Sequence, residues 1–179
     1  MGYALARAAL AGGHEVTLLT APTKLRPPKN AKLVNVETSA EMLGALKEYF
    51  PKCDCLIMAA AVSDYTPVRT AKSKIKKTDQ PVNLKLKPTT DILKWAGLHK
   101  KKGQVVVGFA LEDKNIRGNA DKKLREKNLD MVIANTPAAI GAARTSVYIK
   151  SNGKQWHCLE NMTKATVAKQ VVKSIEKLF

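Results

Sequence analysis

Small and acidic side chains follow an apolar run at the kind of position where open α/β sheets bind ligands, beyond the carboxyl end of a strand. Ala59, Ala60 and Ala61 close this run, and Asp64 follows shortly after. The alanines would let a flat ligand lie close to the main chain, while Asp64 could accept its hydrogen bonds or help to hold a cation. Asp64 could equally cap a turn, and the residues alone leave both interpretations open.

Basic and aromatic residues supply a second set of candidates. The run at 72–77, which contains Lys74, could be a flap that closes over phosphate groups, although such a run by itself is usually a solvated surface. Phe109 ends a later apolar run and could stack on a ring, although a phenylalanine there more often belongs to the core. Asn135 follows the last predicted parallel strand, at the same predicted edge of the sheet.

Nucleophilic and metal-binding patterns are weak in this sequence. The three histidines are scattered, and no Ser-His-Asp or Cys-His arrangement is evident, so we expect no covalent catalysis by a side chain. Cys53 and Cys55 are spaced C-x-C and Cys158 is distant, which fits no usual zinc pattern. We therefore assign no metal ligand, and the cysteines indicate reduced thiols in a cytoplasmic protein.

The charge balance narrows the classes of function. The 179 residues contain 31 Lys and Arg against 15 Asp and Glu, a net charge of +16. This excess could serve a nucleic acid, a site that handles several phosphates, or only a solvated surface. The basic residues are spread along the chain and only 5% of residues are aromatic, which disfavours base stacking. No apolar run reaches the length of a membrane span, so we expect no membrane partner.

Helices and strands alternate along the chain. Periodicity, caps and glycine stops predict helices at 3–11, 39–50, 91–101, 119–128 and from 161 onward, and strands at 15–20, 31–36, 55–62, 82–87, 104–110, 131–134, 146–150 and 155–159. The continuous apolar run at 55–62 predicts a central parallel strand that is buried on both faces. This order predicts an α/β fold with a doubly wound, Rossmann-like, mostly parallel sheet and a C-terminal hairpin and helix.

Six segments together resemble one family. They read "GYALARAALAGGHEVTLLTAPT", "AAAVSDYTP", "KIKK", "VGFALED", "KKLREKNLDMVIAN" and "VAKQVVKSIEK". This set is similar to phosphopantothenoylcysteine synthetase, the synthetase half of the bacterial coenzyme A protein that is often fused to a flavin decarboxylase. The resemblance spans nearly the whole chain, so it implies a single synthetase domain over residues 1–179.

The resemblance implies a ligase that joins the carboxylate of 4′-phosphopantothenate to the amine of cysteine. The bacterial type uses CTP with Mg²⁺. The carboxylate attacks the α-phosphate, pyrophosphate leaves, and cysteine then displaces CMP from the acyl-cytidylate. Such an enzyme needs no nucleophile of its own, because it has only to align two anions and neutralise the charge that develops on phosphate.

The resemblance also implies roles for single residues. Lys74 would be a catalytic lysine, carried on a basic flap at about 66–80. Nucleotide binding would fall to Ala59, Ala60, Asp64, Asp91, Ile92, Phe109, Lys123 and Lys127, and substrate binding to Ala61 and Asn135. Lys123 and Lys127 would reach the triphosphate together, because residues four apart share one face of a helix. Thr89-Thr90-Asp91-Ile92 stands where the family has "NPDI", and only the last two residues agree.

The same resemblance implies partners for this chain and a segment that precedes it. It implies a homodimer whose site is completed near the dimer interface, and a flavin decarboxylase that is fused or separate. The family carries a strand, a Gly-rich loop and an "N-R-S-S-G-K" segment before "MGYALA". We therefore expect the domain to be incomplete at its N-terminus, and to be inactive or dependent on a complementing fragment without that segment.

Two alternatives from other classes remain. An NAD(P)-binding reductase could share the fold, because a fold does not fix a function. The glycine fingerprint of such enzymes is missing, however, and Glu37-Thr38 offers no clear context for binding a ribose. A non-enzymatic nucleic-acid binder could use the net positive charge, and its binding would then fall steeply with salt for any nucleic-acid sequence.

Overall fold

The structure is a computed structural model that describes residues 1–71, 73–77 and 79–179. Helices α1 to α5 are Gly2–Ala11, Ser39–Tyr49, Ile92–His99, Ile116–Glu126 and Lys164–Glu176. Strands β1 to β9 are Thr17–Thr20, Lys32–Asn35, Cys55–Met58, Tyr65–Pro67, Leu86–Pro88, Val105–Leu111, Met131–Asn135, Arg144–Ser151 and His157–Thr163. Single turns of 3₁₀ helix follow α2 and β7.

The largest sheet has the strand order β3-β6-β7-β8-β9. Its first three strands are parallel, while β8 and β9 add an antiparallel C-terminal hairpin. β1 and β2 form a separate parallel pair, and β4 and β5 form an antiparallel pair. The predicted mixed α/β class, the mostly parallel arrangement and the C-terminal hairpin and helix are therefore confirmed.

Helices cover both faces of the five-stranded sheet, which explains why β6 and β7 are almost continuously apolar. On one face α1 and α5 pack against Val105, Val107, Met131 and Ile133. On the other face α2, α3 and α4 pack against Val106, Ala110, Val132 and Ala134. Successive side chains of a strand point to opposite faces, so a strand that is covered twice must be apolar at nearly every position.

The strand predicted at 55–62 differs from the structure in both length and burial. Pairing covers only Cys55–Met58, and all four residues are partly exposed. β3 is the first strand in the order of the five-stranded sheet, and among the described residues no strand pairs with its second edge. The prediction of a central strand buried on both faces is therefore wrong for this chain. Among the described residues β3 is an edge strand, without the second neighbouring strand that a central position requires.

The segment after β3 also differs from its prediction. The alternation at 82–87 predicts a half-exposed strand, whereas pairing covers only the exposed residues Leu86–Pro88. Their partner is Tyr65–Pro67, in a short antiparallel ladder. A proline at either end of this ladder limits its length, because proline has no N–H to donate.

The first turn of α1 lies beside the carboxyl ends of both β1 and β3. The Tyr3 hydroxyl and Thr20 Oγ1 form a hydrogen bond of 3.1 Å. A Cβ placed on Gly2 would lie 3.9 Å from the Cβ of Ala59. α1 therefore connects two parallel sheets whose edge strands are not paired with each other.

Candidate functional site

Three parallel strands end at one edge of the sheet. β3, β6 and β7 are neighbours with parallel register, so the residues that follow them lie side by side. The first strand is followed by Ala59, Ala60 and Ala61, the second ends with Phe109–Leu111, and the third ends at Asn135. This edge is where open α/β sheets bind ligands. The Asn135 carbonyl accepts a hydrogen bond from the Glu112 N–H at 2.9 Å, which ties the second and third segments together.

Lys123 brings a partly buried positive charge to this edge. Side chains of a helix tilt toward its N-terminus, and α4 begins at the carboxyl edge, so its lysines reach back toward that edge. Lys123 Nζ donates a hydrogen bond to the Phe109 carbonyl oxygen at 2.6 Å. Burial lowers the pKa of Lys123, and the nearby charge of Lys127 lowers it further, against the opposing effect of three carboxylates.

The three carboxylates that act on Lys123 are those of Glu112, Asp91 and Asp64. Glu112 Oε2 accepts a hydrogen bond from Asn119 Nδ2 at 2.9 Å. Asp91 Oδ2 pairs with Lys127 Nζ at 2.7 Å. The structure thus gathers two lysines and three acids from four separate segments of the chain.

Asp91 has a second contact that fixes its position. Its Oδ1 accepts a hydrogen bond from the Lys94 N–H at 2.9 Å and so caps the N-terminus of α3. Burial would raise the pKa of Asp91, but the hydrogen bonds from Lys127 and from the Lys94 N–H outweigh it, so the pKa lies below its ordinary value. Asp91 is therefore a carboxylate at this edge, held in its charged form by partners on two helices.

Among the described residues, the two lysines retain free hydrogen-bonding capacity. An ammonium group has three N–H donors and no acceptor. Lys123 uses one donor on a carbonyl oxygen, and Lys127 uses one on a carboxylate. The remaining donors can bind an anion with several oxygens, such as a phosphate chain. The site can therefore hold and neutralise phosphate groups without a nucleophilic side chain.

The segments at 59–64 and 89–92 meet through the main chain. The Thr89 N–H donates to the Asp64 carbonyl oxygen at 2.8 Å. The Asp64 side chain is exposed at the rim of the edge, as are Ala60 and Ala61, whereas Ala59 is partly buried against α1. Ligand contacts by these four residues are not tested and stay predictions.

Ile92 and Phe109 are placed differently from the other candidates. Ile92 is only 3% exposed and belongs to the core beneath α3, so only its main chain is left to meet a ligand. Phe109 is half-buried and packs on the face of α1 and α5, opposite to the face that carries Lys123. Stacking of Phe109 on a base therefore requires the base to lie on the α1 side of β6.

Lys74 lies in the β4–β5 arm, which we define as residues 65–88. It is exposed, and among the described residues no hydrogen bond or ion pair joins it to the carboxyl edge. The predicted flap at 66–80 falls within this arm, and its Lys72 and Thr78 lie outside the described residues. The catalytic role of Lys74 stays a prediction.

Sequence reasoning missed two residues of this site. Glu112 faces Lys123, and the only signal for it was its position just after a buried strand. Thr89 Oγ1 is the one buried side-chain oxygen or nitrogen without a hydrogen-bond partner in the part of the chain that the structure describes. No sequence signal distinguishes Thr89 from its neighbour Thr90.

Metal and thiol chemistry find little support among the described residues. No group of three or more His, Cys, Asp or Glu side chains could hold a metal ion there. The cysteines are free thiols, and burial raises the pKa of Cys55 to about 12, which keeps it protonated and unreactive. In the same part of the chain, no helix is both long and apolar enough to span a bilayer.

A mostly parallel sheet with helices on both faces places this chain among the mixed α/β proteins. Residues 1–179 match the family described as the DNA/pantothenate metabolism flavoprotein C-terminal domain. The chain belongs to that family, which confirms the resemblance read from its six segments.

Curated relatives share most of this chain but are longer. A protein named cysteine/cysteine sulfinic acid decarboxylase, from an unknown prokaryotic organism, is 42% identical over 182 residues, which cover 98% of this chain and 50% of that protein. The coenzyme A biosynthesis bifunctional protein CoaBC of Bacillus subtilis is 39% identical over 185 residues, 99% of this chain and 45% of that protein. The chain thus spans about half the length of the curated relatives it matches.

A solved structure shows the same fold. The crystal structure of the C-terminal domain of a coenzyme A biosynthesis bifunctional protein CoaBC matches with a TM-score of 0.85 and 36% sequence identity. The match covers 99% of this chain and 81% of that one. The predicted fold class is therefore confirmed by comparison as well as by topology.

Proposed function

We propose that this chain is the synthetase domain that joins 4′-phosphopantothenate to cysteine through an acyl-cytidylate formed with CTP. The observation that carries the proposal is the family match over all 179 residues, which include a carboxyl edge that presents Lys123 and Lys127. The CoaBC of Bacillus subtilis is named for coenzyme A biosynthesis, which is the context this reaction belongs to.

The charges at the carboxyl edge suit the first step. The pantothenate carboxylate attacks the α-phosphorus of CTP, and the bond to the departing pyrophosphate breaks as the new P–O bond forms. Both reactants are anions, so the free N–H donors of Lys123 and Lys127 would offset the charge on the phosphates. Holding both reactants in line supplies much of the remaining effect.

The second step needs no acyl-enzyme. The cysteine amine attacks the acyl carbonyl, CMP leaves, and the amide remains. Lys74 on the β4–β5 arm would act at this stage or the first by closing on the phosphate or the acyl-cytidylate, while Ala61 and Asn135 would line the pantothenate side. Closing such an arm would also exclude water, which otherwise hydrolyses the intermediate.

Magnesium would reach this site with the nucleotide. The described residues contain no group of three potential protein ligands for a metal ion. Mg²⁺ usually keeps several waters and is bound by one or two carboxylates together with substrate phosphates. We therefore infer that the triphosphate of CTP supplies most of its ligands, and that this chain's own contribution to charge neutralisation is its lysines.

The experiment is a complete reaction with defined omissions. The protein that contains this chain is incubated with 4′-phosphopantothenate, cysteine, CTP and Mg²⁺, and pyrophosphate and the amide product are measured. We expect the amide product only when all three substrates are present, and pyrophosphate whenever both CTP and 4′-phosphopantothenate are present. A thermal-shift panel with CTP, ATP, NADPH and duplex DNA separates the alternatives, since a saturating ligand at about 100 times its Kd adds roughly 2.7 kcal/mol of stability. Stabilisation by NADPH or DNA alone would refute the synthetase assignment.

We infer that the protein forms a homodimer through the β4–β5 arm. Half of the exposed large apolar side chains among the described residues lie on this arm: Tyr65, Val68, Ile75, Val82, Leu84 and Leu86. Clustered apolar exposure of this kind marks an interaction surface. Light scattering should report a dimer, and replacing Leu84 and Leu86 by Glu should yield a monomer. A monomeric parent protein would refute the inference.

A further parallel strand would complete the sheet. The edges of β1 and β3 are both unpaired among the described residues, and the first turn of α1 lies beside the carboxyl ends of both. We infer that a strand from outside these 179 residues lies between them and joins the two parallel sheets. Backbone amides of β3 should exchange rapidly in this chain alone and slowly once such a strand is present.

A flavin decarboxylase is the proposed further partner. The chain covers about half of each curated relative, and the relative in Bacillus subtilis is named as a bifunctional protein. The family description itself places this domain at the C-terminus of a flavoprotein. Whether the partner is fused or separate is read directly from the mass and flavin absorbance of the protein purified from its native source.

A further inference from the structure

The main chain of Lys127 lies far from the carboxyl edge, whereas its ammonium group reaches that edge. Its main chain caps the C-terminus of α4, at the end of the helix opposite to the carboxyl edge. Its side chain returns along α3 to Asp91, which caps the other end of that helix. The position of this charge therefore depends on α3 at two separate points.

The first point is a close contact of the two main chains. A Cβ placed on Gly97 would lie 1.8 Å from the Lys127 carbonyl oxygen, so only glycine fits there. Asn128 Nδ2 donates to the Gly97 carbonyl oxygen at 2.8 Å and fastens the same contact. α3 thus sets the distance from which the Lys127 side chain must reach.

The second point is the Asp91 carboxylate. One of its oxygens accepts from the Lys94 N–H at 2.9 Å, and the other pairs with Lys127 Nζ at 2.7 Å. Rotation of the carboxylate toward a ligand would break the cap of α3 or the ion pair. Both carboxylate oxygens of Asp91 are thus bound to the protein. A triphosphate is itself an anion, so a direct contact with this carboxylate would not stabilise it.

We propose that Asp91 is a positioning residue, which holds the Lys127 ammonium at the carboxyl edge so that its free N–H donors meet the nucleotide phosphates. The proposal rests on the proposed function and replaces the expected direct contact between Asp91 and the nucleotide. It needs no opening of the ion pair, because one ammonium proton binds Asp91 and two remain for phosphate oxygens. The geometry thereby favours a preorganised donor over a side chain that must be ordered on binding.

The test is a double-mutant cycle on CTP affinity, measured by calorimetry with the protein that contains this chain. Asp91→Asn keeps an acceptor that caps helices as well as Asp does but removes the charge that holds Lys127. We expect CTP binding to weaken roughly tenfold, the size of one charge-assisted hydrogen bond. In a Lys127→Met background the same change should have no further effect, since Asp91 acts through Lys127.

A matched control variant distinguishes the loss of Lys127 positioning from the mere loss of one negative charge. Asp121→Asn on α4 removes an equal charge from an ion pair of equal length, Lys150 to Asp121 at 2.7 Å. It should leave CTP affinity unchanged. Tighter CTP binding by Asp91→Asn would show that Asp91 merely repels the nucleotide, and an equal loss in both backgrounds would show a general structural effect, so either result overturns the proposal.

Two further outcomes distinguish this proposal from the function on which it rests. A wild-type protein that binds no CTP would refute both, whereas a wild type that binds CTP and an unchanged Asp91→Asn would refute the positioning role alone. If Asp91→Asn does not fold, the Lys127 ammonium can be observed directly in the wild type by nitrogen-detected NMR. Its Nζ relaxation should report a restricted side chain both without and with CTP, and a freely mobile side chain in either state overturns the proposal.

Discussion

The lysines at the carboxyl edge and the lysine of the β4–β5 arm are held in opposite ways. Lys123 and Lys127 are partly buried, and each donates to an oxygen fixed by the fold. Lys74 is exposed and has no such contact with that edge among the described residues. Under the proposed function the difference corresponds to two tasks: the fixed charges would bind the phosphates, and the charge on the arm would reach them during the reaction.

This comparison also separates nucleotide binding from turnover. Disturbing the charges that are fixed at the carboxyl edge should change nucleotide affinity. A charge that waits on an exposed arm should change turnover alone. The predictions below test this separation, from the largest expected effect to the smallest.

Gly97→Ala should have the largest effect. The added methyl group meets the Lys127 carbonyl oxygen at 1.8 Å, so α3 must move away from α4. We expect the free energy of unfolding to fall by about 3 kcal/mol, the upper range for overpacking. Gly44→Ala on α2 is the control, since nothing lies within 4 Å and the substitution should stabilise by about 0.5–1 kcal/mol. Equal effects at the two glycines would contradict the close contact.

Lys74→Met should lower turnover without changing stability. Removal of a cation that acts on developing phosphate charge costs roughly 10²-fold in rate. The thermal midpoint and the CTP affinity should stay at wild-type values, because the side chain is exposed. Lys76→Met, also exposed on the arm, should leave turnover within a factor of about two. Equal losses for both lysines would show that the arm needs only its net charge.

Lys123→Met should weaken CTP binding roughly tenfold, by loss of one charge-assisted contact to phosphate. Burial already disfavours this charge, as the lowered pKa of Lys123 indicates, so stability should change little. Lys122→Met on the same helix is the control, because that side chain is 67% exposed and should leave CTP affinity unaltered. Calorimetric titration of all three proteins measures the difference.

The pH dependence of stability should show the smallest effect. The pKa of Asp91 is lowered in the folded protein, so its contribution is present above the ordinary carboxylate pKa and is lost as pH falls through the lowered value. The stability difference between wild type and Asp91→Asn should therefore be largest at neutral pH and shrink in acid. Because Asp91 is 41% exposed, solvent screening keeps the effect modest. A constant difference across this range would show that the ion pair does not stabilise the fold.

Local sequence patterns predicted where the helices and strands lie better than they predicted what surrounds each element. The strand at Val105–Leu111 and the helix at Ser39–Tyr49 follow from apolar runs and cap residues within a few positions. The burial of β3 does not follow in this way. An apolar run predicts a strand, whereas the burial of that strand depends on the elements packed beside it. Among the described residues β3 has a neighbour on one side only, so its prediction as a doubly covered strand is wrong.

Local sequence patterns likewise predicted only part of the candidate site. Lys123 and Lys127 are four residues apart on one helix, and that spacing is visible in the sequence. Asp91 is the first residue of the helix predicted at 91–101, and aspartate is a common residue at a helix N-terminus. Three other features depend on how distant segments meet: the pairing of Asp91 with Lys127, the face on which Phe109 packs, and the Thr89 hydroxyl, which has no partner among the described residues. No spacing within one segment encodes such contacts.

The most direct test of the central claim is to look for the acyl-cytidylate itself. The protein that contains this chain is incubated with CTP, Mg²⁺ and 4′-phosphopantothenate but without cysteine, and the nucleotide products are analysed by mass spectrometry. We predict a 4′-phosphopantothenoyl cytidylate that forms with release of one pyrophosphate and disappears, with release of CMP, when cysteine is added. Formation of the amide product on addition of cysteine with no earlier cytidylate and no earlier pyrophosphate, or no reaction of CTP at all, would contradict the account.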